Sequence, residues 1–336
     1  MAGVFLPDSG FPAPVSVFWC SVRAFAAHWQ MTLANFLAPK YLFAALFVAS
    51  AIAIHYRGRV RHGFFRQLSD HSTLFAPYNA LMYVFSAVPS KPYLDVSAFP
   101  ELKVLQDNWE VIREEAVNLQ AEGRIKAADK YNDLGFNSFF RTGWKRFYLK
   151  WYDDYLPSAR EQCPRTIALL EQVPSITGAL FASLPPGARL VRHRDPYGGS
   201  LRYHLGLVSP NSPDCFIYVD DEKYYWREGE SVMFDETFIH YAENKTNQQR
   251  IVLFCDVERP LTNRVIRAVN RWVSHHIIKA SATQNVEGEK VGLLNHIFSY
   301  AYQVRLLGKR IKAWNRHVYY ALKWALIGGL LYWIFV

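Results

Sequence analysis

Between Gly178 and Val257 the chain reads as seven short apolar or alternating segments: "GALFASL", "ARLVRHRD", "LRYHLGLV", "CFIYVDD", "KYYWREGE", "SVMFDE" and "QRIVLFCDV". Gly, Pro, Asn and Asp break them, and no helical period lies between any two. Strand candidates this closely spaced leave no room for the crossover helices of a parallel sheet. The pattern therefore predicts an antiparallel sandwich or barrel. A GxGxxG fingerprint, a Walker loop and an internal repeat are all absent from the sequence, which argues against nucleotide-binding α/β folds and solenoids.

Elsewhere the period is helical. Leu102, Leu105, Trp109 and Ile112 predict one amphipathic helix from Glu101 to about Ala121. "PRTIALLEQVP" predicts a short helix opened by Pro164. Residues 67–100, with Pro77, Pro89, Pro92 and Pro100, read as loop-rich. From Arg264, apolar Val265, Val269, Trp272 and Val273 lie among Arg264, Arg267 and Arg271, a pattern that fits an interfacial helix or a plain packing helix.

The net charge of +9 gathers in three clusters: Arg57 to Arg66, Arg264 to Lys279, and Arg305 to Lys323. Such clusters can serve nucleic acid, anionic lipid or water, and their neighbours decide between them. The first follows "YLFAALFVASAIAIHY", and the third runs into "VYYALKWALIGGLLYWIFV". These segments predict transmembrane helices at 41–56 and 318–336, with Lys40 and Lys323 snorkelling and Tyr and Trp at the interface. Buried core helices are the alternative. Basic residues on the inner flank of both segments put 57–317 on the cytoplasmic side, with a bilayer and not a nucleic acid as partner.

Residues 1–40 form an N-terminal extension without the marks of a signal peptide, either an interfacial helix or a stretch ahead of a start at Met31. The expected domains are then 1–40, 41–56, a helical segment at 57–140, a β-domain at 141–260, a basic helical segment at 261–317, and 318–336. The four cysteines, Cys20, Cys163, Cys215 and Cys255, have no CxxC spacing, which argues against a zinc ribbon or disulfide framework and suits a reducing compartment.

The stretch "HRDPYGGSLRYHLGL" carries the chemistry. Side chains alternate along a strand, so His193 and Asp195 share a face and can reach one metal, while Arg202 and His204 share a face of the next strand. His240, in "FDETFIHYAENK", completes a two-histidine, one-carboxylate set. Such a set leaves coordination positions open and suits non-haem Fe(II) that binds a co-substrate and O2 together. Ten residues on, Arg250 would be a stranded charge inside a barrel unless it grips a carboxylate, which suggests a 2-oxo acid. A salt bridge from Arg250 to Asp235 or Glu236 is the ordinary alternative.

The blocks "GWKRFYLKWY", "PRTIALLEQVPSITG", "HRDPYGGSLRYHLGL" and "FDETFIHYAENKTNQQRIVLFCDV" resemble the aspartyl/asparaginyl β-hydroxylase family of Fe(II)/2-oxoglutarate dioxygenases. With "HYRGRVRHGFFRQLSDHSTLFAPYNALMYVFS" and the apolar ends, the chain from about residue 40 looks like the family's bacterial lipid A 2-hydroxylase branch. The resemblance implies a mainly β fold, a double-stranded β-helix (jelly-roll) core with flanking α-helices. It implies iron held by His193, Asp195 and His240, with Asp195 standing where the peptide-acting animal enzymes have glycine. Arg250 matches the residue at the distal carboxylate of 2-oxoglutarate, Arg202 and His204 match residues near its other end, and Trp144 lines the same pocket. The family's serine partner to that arginine falls on Ala182, and Ser183 would face away. The branch implies hydroxylation at carbon 2 of a secondary acyl chain of lipid A at the bacterial inner membrane. Ornithine lipid and peptides are the alternative substrates.

Overall fold

The computed structural model describes residues 38–128 and 133–335. It falls into two compact units, one ending at Ala49 and one running from Ser50 to Ile334. Of the first unit, residues 38–49 and Phe335 are described, and most of the expected 1–40 extension lies outside the described residues.

Eleven strands are present among the described residues: β1 (Tyr93–Leu94), β2 (Lys145–Trp151), β3 (Asp154–Tyr155), β4 (Ile176–Leu184), β5 (Arg189–His193), β6 (Ser200–Val208), β7 (Cys215–Val219), β8 (Glu222–Tyr225), β9 (Ser231–Phe234), β10 (His240–Asn244) and β11 (Arg250–Glu258). One sheet has the order β1-β9-β6-β11-β4-β2-β3, and the other β5-β10-β7-β8. Every strand pair is antiparallel. Strands β4 to β11 pass back and forth between the sheets, with β7 and β8 a hairpin within the second, in the winding of a jelly roll, the double-stranded β-helix the resemblance implies. Leu180 and Phe181 of β4, Leu201 and Leu205 of β6, and Leu253 of β11 are fully buried, so these strands are covered on both faces.

Each of the seven expected strand segments contains a strand, and β1, β2, β3 and β10 are additions. β2 is "KRFYLKW", buried on both faces through its middle, so no two-residue alternation marks it. Two helical expectations change. Residues 67–100 are not mainly loop, since Ala76–Val84 is a helix and Asp70 caps the turn His71–Leu74 by accepting from Ser72 N at 3.0 Å. The helix expected from Glu101 to Ala121 is broken at Asn108, whose side-chain Nδ2 donates to the Val104 carbonyl at 2.8 Å and closes the first piece, Lys103–Asp107. Trp109–Ala121 then starts afresh, and Pro164–Glu171 opens on its proline as expected.

The expected transmembrane helices at 41–56 and 318–336 are not met. Among the described residues no helix is long and apolar enough to cross a membrane. The helix Pro39–His55 has 17 residues; at ~1.5 Å per residue it falls short of a hydrocarbon core about 30 Å thick. The helix Arg316–Phe335 opens on Arg316 and His317 and is interrupted by Lys323, so its charge-free run begins only at Trp324.

Candidate active site

The jelly roll brings all seven residues singled out in the sequence to one cavity of about 470 Å³, its mouth included. His193 ends β5 and His240 begins β10, and the two are cross-strand partners with ring centroids 4.2 Å apart. Asp195 lies two residues beyond His193, with its Oδ1 3.4 Å from His193 Nε2. One ligand atom from each of the three lies within 4.8 Å of the others.

The tautomers follow from the main chain. His193 Nδ1 meets the Val191 carbonyl at 2.7 Å, and His240 Nδ1 meets the Phe238 carbonyl at 2.9 Å. A carbonyl can only accept, so Nδ1 carries the hydrogen in both rings and each Nε2 lone pair is free for a metal. Burial, with the neighbouring His193 ring, pushes His240 down to about 3 and keeps it neutral. Burial opposes the charge on Asp195, yet the Arg202 guanidinium, 2.9 Å away, holds its carboxyl well below the usual carboxylate range. Two imidazoles and one carboxylate brought together in this way are the donor set of a non-haem Fe(II) site.

Arg202 sits elsewhere in the chemistry than the sequence implies. Its Nη2 donates to Asp195 Oδ2 at 2.9 Å and its Nε to Asp256 Oδ1 at 2.9 Å, so both ends of the fork are spent on carboxylates. Asp256 in turn accepts from Tyr152 Oη at 3.3 Å. Arg202 thus orients the ligand Asp195 instead of waiting for a co-substrate.

Arg250 is different. It is 2% exposed, its guanidinium carbon lies 4.4 Å from the centre of the Trp226 ring, and its Nε has no hydrogen-bond partner. Burial pushes it down to about 10. The salt bridge to Asp235 or Glu236 is not made: Asp235 is taken by Arg57 and Arg259, and Ser200 Oγ donates to Glu236 at 2.7 Å. His204, paired across the sheet with Phe254, likewise has two ring nitrogens without partners, and burial with the two nearby arginines keeps it neutral. A buried fork and a buried neutral imidazole, both unsatisfied and facing one cavity, fit a carboxylate-bearing co-substrate. Trp144, 2% exposed and stacked on Phe136 at 4.7 Å, walls the same space. Ala182 also lines it, while Ser183 faces away and accepts from Gln249 Nε2 at 2.9 Å.

Several contributors went unread in the sequence. Asp256 shares a strand face with Arg250 and Phe254 at two-residue steps, a signal present in "RIVLFCDVE". Trp226 stands in the aromatic run "YYW". Glu236 carried none: its carbonyl accepts from Asp195 N at 3.0 Å, and burial outweighs Arg202 to push its carboxyl up.

A jelly roll with two histidines and a carboxylate beside an unsatisfied buried arginine defines an oxygenase-type metal site. Residues 106–260 match the aspartyl/asparaginyl β-hydroxylase family model. It is 33% identical over 180 residues to an ornithine lipid ester-linked acyl 2-hydroxylase of Rhizobium tropici, covering 53% of this chain and 64% of that protein. It is 31% identical over 166 residues to the human aspartyl/asparaginyl β-hydroxylase, covering 47% of this chain and 21% of that protein. The chain therefore spans less than two thirds of the length of either relative. A solved Pseudomonas putida prolyl-4-hydroxylase overlaps 46% of this chain and 87% of its own at 18% identity and a TM-score of 0.33, too distant to carry an argument.

Proposed function

We propose that this chain is an Fe(II)/2-oxoglutarate-dependent hydroxylase acting on carbon 2 of an acyl chain of a membrane lipid. The observation that carries the reading is Arg250, a buried cation without a carboxylate partner among the described residues, in the cavity that holds His193, Asp195 and His240. An unpaired buried charge is costly, so the fold retains it for a ligand.

His193, Asp195 and His240 would hold the iron, which when bound supplies oxygen activation coupled to oxidative decarboxylation of 2-oxoglutarate to succinate. Arg250 grips the distal carboxylate through its fork, and His204 offers a neutral nitrogen to the same molecule. Arg202 keeps Asp195 ionised and aimed. Phe136, Phe139, Trp144, Phe234 and Phe254 exclude water from the reacting centre.

The acyl substrate is supported by the relative whose printed name is an ornithine lipid acyl 2-hydroxylase, and by Asp195, the carboxylate that completes the ligand set. Among membrane lipids we assign lipid A, whose phosphates suit the basic clusters, with the jelly roll at the cytoplasmic face of the inner membrane. The three described cysteines, Cys163, Cys215 and Cys255, are free and buried, which suits that compartment. The test is to supply the purified protein with Fe(II), 2-oxoglutarate and O2 together with lipid A, ornithine lipid or Asp-containing peptides. The reading expects one added oxygen atom on a lipid A acyl chain. Oxygen added to the peptides alone contradicts it.

A further inference from the structure

The segment that leaves the helix Pro39–His55 is fastened to the metal site from outside the cavity. Arg57 donates from Nη2 to Asp235 Oδ2 at 2.6 Å, from Nη1 to Thr237 Oγ1 at 2.6 Å, and from Nε to Ser90 Oγ at 3.0 Å. Its guanidinium lies between two rings, 3.8 Å from the centre of Tyr83 and 4.1 Å from that of Phe238. The next residues join the same surface: Arg59 N and Val60 N donate to the two oxygens of Asp220 at 2.9 and 2.8 Å. Gly58 leaves no room between them, since a Cβ there would stand 2.6 Å from Asp220 Oδ1 and 3.1 Å from Phe238 Cδ1.

What this clasp holds is the loop Asp235–Ile239, and that loop aims two of the three candidate ligands. The Phe238 carbonyl accepts from His240 Nδ1 at 2.9 Å and so sets the imidazole plane. The Glu236 carbonyl accepts from Asp195 N at 3.0 Å. Asp220 N donates to the Ile239 carbonyl at 2.9 Å, so the residue clasped by the Arg59 and Val60 amides also pins the peptide just ahead of His240. Asp235 keeps a second cation, Arg259 Nη2 at 2.8 Å, so the loop does not depend on Arg57 for its charge balance.

Resting on the metal reading above, we propose that Arg57, seated by Gly58, is a positioning residue of the metal site: through Asp235, Thr237 and Phe238 it fixes the direction of the His240 and Asp195 ligand atoms. It touches no reacting atom. Partners that orient a ligand from outside the coordination shell typically contribute a factor of 10–100 in metal affinity.

The test is Co(II) titration of the full-length protein, read by the visible absorption of the bound ion, together with the melting temperature of the metal-free protein. Arg57→Ala is expected to weaken Co(II) binding by about tenfold and to alter the absorption spectrum while the metal-free melting temperature stays near that of the parent. Arg57→Lys, which keeps a charge but not the fork, is expected to fall between the two. Gly58→Ala leaves Arg57 intact but displaces it, and is expected to shift affinity in the same direction. Parent-like affinity and spectrum in Arg57→Ala and Gly58→Ala overturn the proposal. So does a loss of metal affinity that comes only with a matching loss of metal-free stability, or failure of both variants to fold, since either makes the clasp purely structural. His240→Ala is the separate control: if it binds Co(II) like the parent, the metal reading itself fails, whatever Arg57 does.

Discussion

Arg250 is the residue whose environment says most about what the protein binds. Because the cation is buried over Trp226 without a counter-charge, it costs the ligand-free fold stability. Arg250→Met is therefore expected to melt no lower than the parent without co-substrate and to lose the stabilisation that 2-oxoglutarate confers on the parent, as thermal melts with and without the acid will read. In turnover it is expected to raise the KM for 2-oxoglutarate by about tenfold or more, since a charge-assisted pair contributes ~1.5–3 kcal/mol. For the triad, His193→Ala, Asp195→Ala and His240→Ala should each abolish bound iron, measured by metal analysis, while circular dichroism of the fold stays unchanged. Much of this constellation was legible in the sequence, because strand alternation alone places His193 with Asp195 and Arg202 with His204. The task of Arg202 was not legible: its bonds to Asp195 and Asp256 depend on the β6–β11 register, in which Arg202 faces Asp256, and no local pattern encodes a register between distant strands.

At the scale of elements, most long strands of the jelly roll could be read even where both faces are buried, as in β4, β6 and β11, while β2 and the short alternating β10 could not. β6 and β11 announced themselves by bulk and spacing, whereas β2 sits between β3 and β4 with little alternation to betray it. Helix breaks followed side-chain caps at Asn108 and Asp70, which compete with the periodicity that the eye reads first. The segment from Arg57 to the helix Phe64–Ser69 also holds a pH-sensitive contact. His62 is 5% exposed, its Nε2 is 3.6 Å from Asp70, and burial outweighs that carboxylate to push the ring from the ordinary 6.5 down to about 4. A group whose folded value is lowered contributes stability that is present above the unfolded value and lost as the pH falls through the folded one. Melting temperatures should thus decline between about pH 6.5 and pH 4, and His62→Gln should flatten that part of the profile. An unchanged profile would show that His62 does not titrate with unfolding.

On the scale of the whole molecule, the sequence's two apolar ends suggested spans, and the described helices are too short or too interrupted to be spans. What the folded chain offers instead is exposed apolar side chains in helical register next to cations. Val265, Val269 and Trp272 are exposed on the helix Arg264–Val273 beside Arg264, Arg267 and Arg271. Leu293, Ile297, Tyr300, Val304 and Leu307 form a similar exposed stripe on Leu293–Trp314, with Arg305, Lys309, Arg310 and Lys312 alongside. Such faces suit the plane of an anionic bilayer, where each cation contributes about 1 kcal/mol. Co-sedimentation with anionic vesicles should therefore be strong at low salt, weaker at high salt, and reduced in Val265→Glu and Trp272→Glu. Equal recovery with neutral vesicles would contradict an electrostatic attachment. The central claim is that the cavity couples 2-oxoglutarate oxidation to oxygen insertion into a lipid acyl chain. The direct measurement is mass spectrometry of lipid A after turnover under heavy-isotope oxygen gas, with succinate counted in parallel. The account predicts one heavy oxygen atom on carbon 2 of an acyl chain for each succinate formed, and none without 2-oxoglutarate. Acyl hydroxylation that proceeds without 2-oxoglutarate, or that takes its oxygen from water, would contradict it.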